Sequence, residues 1–118
     1  MHNQILELLN SDGIYFDIYQ INEMTPSKPG IYTFWNSSRT LNRPIYIGLS
    51  KNIRKRLMEH RTSCHNPKLR NYIRGYGPSL IIRFLLKENF DKNLSLLKIE
   101  KTFIKRLNPI TNSQNNTI

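Results

Sequence analysis

Cysteine is nearly absent: Cys64 is the only one in 118 residues, which excludes an internal disulfide and a thiolate-rich zinc site. That usage fits a reducing, cytoplasmic setting. Long apolar runs are missing too. No stretch approaches the ~20 residues needed to cross a bilayer, so no membrane partner is expected. The start, Met1-His2-Asn3-Gln4, lacks the basic residues and apolar core of a secretory signal. Acids are scarce where bases are dense. Glu7, Asp12, Asp17 and Glu23 sit in the first quarter, where Lys28 is the only Lys or Arg, while between Gly30 and Lys87 the one acid is Glu59. No internal repeat is visible.

What is present is positive charge. Eighteen Lys and Arg give a formal net charge of +10 and a pI near 10.1, a field that in a domain of this size points to a polyanion partner. A basic protein kept soluble by its charge needs no segregation of acids from bases, and this chain segregates them. Lys51, Arg54, Lys55, Arg61, Lys68, Arg70 and Arg74 form the expected nucleic-acid-binding set. The length suits one domain with one modest core.

The stretch from Gly30 to His60 organises the chain. Gly30-Ile31-Tyr32-Thr33-Phe34-Trp35 and Pro44-Ile45-Tyr46-Ile47-Gly48 are rich in aromatic and β-branched residues and read as strands. The polar run from Asn36 to Thr40 between them reads as a turn, giving an antiparallel hairpin. Alternate residues share a face, so Tyr32 goes with Phe34 and Tyr46 with Gly48, which can bring two phenols together. A basic helix is then expected from about Ile53 to Arg61, N-capped by Asn52 or Ser50. On it Ile53, Leu57, His60 and Cys64 share a face at ~100° per residue, with Arg56 placed against the core one turn before His60.

Upstream, Gln4 to Asn10 suggests a short amphipathic helix, and Ile14 to Ile21 an extended or edge segment. Downstream, Asn66 to Tyr76 reads as a second basic helix and Ser79 to Leu86 as a buried central strand. Leu94 to about Leu107 reads as a final helix capped by Asn93. On a wheel of that helix, Leu96, Leu97, Ile99, Phe103, Ile104 and Leu107 fill a sector of about 160°, and Glu100 lies within it. A carboxylate among apolar neighbours costs several kcal/mol unless paired. It requires either an arginine partner or a divalent cation at the floor of a cleft, of the Mg²⁺ (or Mn²⁺) type in which water and phosphate oxygens supply the other ligands. Two phenols, an arginine, a histidine and this carboxylate together cover what phosphodiester hydrolysis needs.

Gly30-Ile31-Tyr32, Tyr46-Ile47-Gly48, Asn52-Ile53-x-x-Arg56-x-x-x-His60, Glu100, and Leu107-Asn108-Pro109 with Asn112 resemble, in that order, the GIY-YIG nuclease superfamily. The resemblance covers roughly Pro29 to Asn112. It implies an α/β (α+β) domain with a three-stranded antiparallel sheet flanked by helices over 29–112, preceded by an extension at 1–28 packed on it and followed by a frayed tail at 113–118. It also implies metal-dependent cleavage of DNA, with Glu100 as metal ligand and Arg56 on the scissile phosphate. Tyr32 and Tyr46 would line the attacking water, and either is open as general base, His60 assisting Tyr32. Gly30 and Gly48 allow close backbone approach, and Asn112 matches a late asparagine that fixes the site. His65 lies where some relatives carry a further histidine; Cys64 reads as core. The segment between Tyr32 and Tyr46 is longer than is usual in the family.

The expectation is therefore an endonuclease without a separate sequence-reading domain. The alternatives are an inactive nucleic-acid-binding module of the same fold, or an interaction protein whose acidic N-terminal segment docks a partner.

Overall fold

The computed structural model describes residues 1–37 and 43–112. Much of the expected turn and loop between Asn36 and Arg43, and the expected frayed tail, therefore lie outside the described residues. In chain order the elements are α1 (His2–Asn10), β1 (Ile14–Tyr15), α2 (Ile18–Met24), β2 (Gly30–Trp35), β3 (Tyr46–Ser50), α3 (Ile53–Thr62), α4 (Pro67–Tyr76), β4 (Ile81–Leu86) and α5 (Leu96–Leu107). Short 3₁₀ turns at Gly77–Ser79 and Lys87–Asn89 flank β4.

The sheet is antiparallel, in the order β1-β4-β2-β3. Three strands were expected and the described residues hold four, because Ile14 and Tyr15 pair with Ile82 and Ile81. The rest of the segment read as extended is instead helical. Asp17 decides this: its carboxylate accepts from the backbone N–H groups of Tyr19 and Gln20, capping α2 where the β-forming side chains alone favour a strand. The last helix is capped by Ser95 on the N–H of Lys98, two residues beyond the expected Asn93. Asn52 and Asn66 cap α3 and α4.

The pleat sorts the core onto two faces of the sheet. Tyr32, Phe34 and Ile82 pack on one side with Ile21 of α2, Ile53 and Leu57 of α3 and Leu69 of α4. Ile31, Trp35, Ile47 and Leu85 pack on the other with Ile5 and Leu8 of α1 and Ile99, Phe103 and Ile104 of α5. Helices thus cover both faces, and the two helices before β2 lie on opposite sides. Gly30 fits because any Cβ there would run into the Leu85 carbonyl and the Ile53 side chain.

β3 is an edge strand, and its outer side is closed by the chain after α5. The N–H groups of Ile110 and Thr111 donate to the carbonyls of Pro44 and Ile45. Asn112, 1% exposed, then acts as a surrogate backbone: its Oδ1 accepts from Ile47 N–H at 3.0 Å and its Nδ2 donates to the Ile47 carbonyl at 2.8 Å. Asn66 Nδ2 donates to the Thr111 carbonyl at 2.9 Å, which ties the start of α4 to the same strap. Leaving the two Ile47 groups unpaired in Asn112→Ala costs about 2 kcal/mol or more. A urea titration reads this as a lowered midpoint with an unchanged slope, and an unchanged midpoint would contradict the account.

Candidate active site

The register of the hairpin builds the first half of a cavity. Tyr32 pairs with Gly48 and Phe34 with Tyr46, so both phenols lie on one face and on a diagonal, with ring centroids 6.1 Å apart. A Cβ at Gly48 would collide with Cζ and the hydroxyl of Tyr32, so only glycine lets that ring lie across β3. α3 supplies the next wall. His60 is 8% exposed, and its Nε2 lies 2.7 Å from the Tyr32 hydroxyl.

The electrostatics set the charge of both partners. Burial, with help from the charges of Arg56 and His65, pushes the His60 pKa down to about 4, so the imidazole is neutral at pH 7. Burial first, then the neighbouring Tyr46, holds the Tyr32 phenol well above its usual range, against an opposing pull from Arg56. Both partners are therefore neutral at pH 7, and the direction of the hydrogen bond between them follows the imidazole tautomer.

Glu100 closes the far side. α5 packs against β3 on the opposite face of the sheet, and Glu100 reaches the cavity at the sheet edge, beside Leu49 and Tyr46. Its carboxylate is half-buried, and burial raises its pKa. Tyr46 is raised as well, by burial and by the nearby Glu100 charge. The described residues form ion pairs only between Lys28 and Glu88 and between Arg56 and Glu59, so the arginine partner that would have neutralised Glu100 is absent among them. Among the described residues there is also no cluster of three or more His, Cys, Asp or Glu side chains. A cation held there would not find a ready-made cage of such side chains.

Tyr32, Tyr46, Arg56, His60 and Glu100 thus line one cavity of about 360 Å³, together with His65, Glu59, Thr62, Ser63 and Asn66. Several expectations need correction. Arg56 does not lie against the core: its side chain is 45% exposed at the rim, 3.5 Å from Glu59, and it shares a helix face with the buried His60 one turn further on. Leu97 is 55% exposed, since it sits at the edge of the apolar sector in the first turn of α5. Arg54 donates Nε–H to the Thr25 carbonyl at 2.7 Å. Arg61 lies over the Phe16 ring and reaches its carbonyl at 3.4 Å. Both arginines brace the N-terminal residues against α3. Lys51, Lys55, Lys68 and Arg74 are exposed and Arg70 is partly so. Gly30 lies at the other end of β2 and does not line the cavity. Cys64 is buried in the core.

Glu59, Thr62, Ser63 and Asn66 escaped the sequence reading. Glu59 carried a signal, as the one acid in a basic stretch three residues after Arg56. Asn66 carried another, as a capping residue before Pro67.

Comparison with known proteins follows the same outline. The family model described as the GIY-YIG catalytic domain matches residues 28–115. UvrABC system protein C from Mycoplasma mycoides subsp. mycoides SC is 30% identical over 87 residues, covering 74% of this chain and 13% of that protein. The protein of the same description from Dictyoglomus thermophilum is 31% identical over 106 residues, covering 90% of this chain and 16% of that one. The chain thus spans under a fifth of the length of these relatives. In structure, the GIY-YIG N-terminal endonuclease domain of UvrC from Thermotoga maritima, bound to magnesium, superposes with a TM-score of 0.58 at 22% identity, covering 80% of this chain and 94% of that one. At that identity the likeness shows the fold.

The depressed pKa of His60 has a consequence for stability. The unfolded chain takes up this proton near pH 6.5 and the folded chain only near pH 4, so the contribution is complete above about pH 6.5 and is lost as pH falls toward 4. The full span is on the order of 3 kcal/mol, and roughly 2 kcal/mol is lost by pH 5. Urea midpoints measured from pH 7.5 to 4.5 should fall more steeply for the wild type than for His60→Gln; parallel curves would refute the assignment.

Proposed function

The chain belongs to the GIY-YIG catalytic domain family, and from that membership and the geometry of the cavity we propose that it is an endonuclease that hydrolyses DNA phosphodiester bonds with one divalent cation, Mg²⁺ or Mn²⁺. The observation that carries the reading is Glu100, a half-buried carboxylate at a cavity wall that makes no ion pair among the described residues. Such a group is a poor structural element and a good hard-cation ligand. When bound, a divalent cation there supplies charge for the scissile phosphate and the departing oxygen.

The chain's own residues do the rest. Arg56, half-exposed at the rim and paired there with the half-exposed Glu59, exchanges that partner for a phosphate and holds the substrate by a charge-assisted contact. Tyr32 is the phenol with a buried imidazole at hydrogen-bond distance. As it draws a proton from the attacking water at its hydroxyl oxygen, its own proton passes to Nε2 of His60 in the tautomer that leaves that nitrogen bare, a transfer that the negative charge of a bound phosphate favours and burial opposes. Tyr46, less buried and beside Glu100, orients the water. A resting phenol with a raised pKa is a weak base alone, and the neighbouring positive charge that a bound cation would bring lowers it. DNA as the polyanion accords with the charge of +10.

Purified protein incubated with duplex, single-stranded and branched DNA should cut only when Mg²⁺ or Mn²⁺ is present. Glu100→Gln should lower the rate by about a hundredfold or more, and Tyr32→Phe by a comparable factor. Because Glu100 is an unpaired half-buried charge, Glu100→Gln should unfold at no lower temperature than the wild type. Equal cleavage by Glu100→Gln and wild type would overturn the metal assignment. Tight DNA binding without cleavage under any of these conditions would favour a binding-only module.

A further inference from the structure

Resting on the nuclease reading above, we infer that the strand being cut leaves the active cavity through a second, arginine-walled cavity between the end of α3 and α4. This groove, not the outer face of α3, grips its neighbouring phosphates. The second cavity, of about 290 Å³, is lined by Arg70 and Arg74 and by Arg61, which is itself engaged with the Phe16 carbonyl and ring, over a floor that includes Cys64 and Ile73. It shares His60, Thr62 and Ser63 with the active cavity, so the same three residues form a saddle between the two.

Charge and rigidity both favour this exit. Arg70 and Arg74 are one turn apart on α4 and project together. Among the described residues neither they nor Arg61 makes an ion pair, so the wall carries positive charge that no carboxylate cancels. The helix bearing them is fixed relative to the active cavity, because Asn66 both caps α4 and donates to the Thr111 carbonyl in the strap along β3. A concave wall of like charge focuses the field on a strand more strongly than a convex helix face does.

The outer face of α3 lacks these properties. Its Arg54 is committed to the Thr25 carbonyl, which leaves Lys51 and Lys55 as exposed side chains. Each of those must lose rotamer freedom to hold a phosphate.

The test is affinity for a labelled DNA oligonucleotide at a series of salt concentrations, with the full chain in EDTA so that no strand is cut. Arg70→Gln/Arg74→Gln should bind at least about tenfold more weakly than wild type, with the salt slope shallower by roughly 1.4 to 1.8, two phosphate contacts having been removed. Arg70→Lys/Arg74→Lys, which keeps the charge, should restore most of that slope. Lys51→Gln/Lys55→Gln should weaken binding by no more than about threefold. A loss from the lysine pair as large as that from the arginine pair would overturn the proposed path. The nuclease reading fails separately, if the wild type shows no metal-dependent cleavage of any of the DNA substrates, whatever its binding.

Discussion

The contact between the Tyr32 hydroxyl and His60 Nε2 is the constraint around which the rest of the site is arranged. It joins the middle of the sheet to α3, lies almost wholly out of water, and requires glycine at position 48 so that the tyrosine ring can lie across the neighbouring strand. A buried donor without this acceptor would be costly, and so would a charged imidazole at the same depth. The pair is stable because one partner stays protonated and the other stays neutral.

Glu100 poses the opposite case. The Tyr32–His60 pair satisfies its polar atoms internally, whereas the carboxylate is desolvated with no cation from the protein among the described residues to compensate it. Burial raises its pKa, the response expected of a charge held out of water. Arg56, the nearest candidate by chemistry, is engaged with Glu59 at the rim instead. The cavity therefore holds a negative group without its counter-charge and a positive group with a weak, exchangeable one. Phosphate and a divalent cation together complement that pattern.

Position in the fold explains how such different environments share one cavity. Tyr32, Tyr46 and His60 belong to the face of the sheet covered by α2, α3 and α4, and α5 to the other. They meet at β3, where the sheet ends. The strap from Ile110 to Asn112 closes that edge by backbone and side-chain pairing and also anchors the start of α4. An edge strand left unpaired invites other chains to add to it. Here its closure and the framing of the cavity are one arrangement.

The sequence by itself determined the elements whose signal is local. The hairpin followed from two aromatic, β-branched runs, α3 and α4 from capping asparagines ahead of periodic apolar residues, and the oddity of Glu100 from its place on a helical wheel. Family motifs then put Tyr32, Tyr46, Arg56, His60 and Glu100 in one site, and all five line one cavity. Tertiary structure alone decided the rest. That Arg54 and Arg61 would brace the N-terminal residues depends on contacts 29 and 45 residues apart in sequence, and that Arg56 would lie at the rim depends on how α3 packs on the sheet; the Asp17 cap of α2, by contrast, is a local signal that the β-forming side chains around it mask. A wheel or an alternation pattern reports which side of an element is apolar. What lies opposite that side, and how much water remains between, is fixed only when the elements pack.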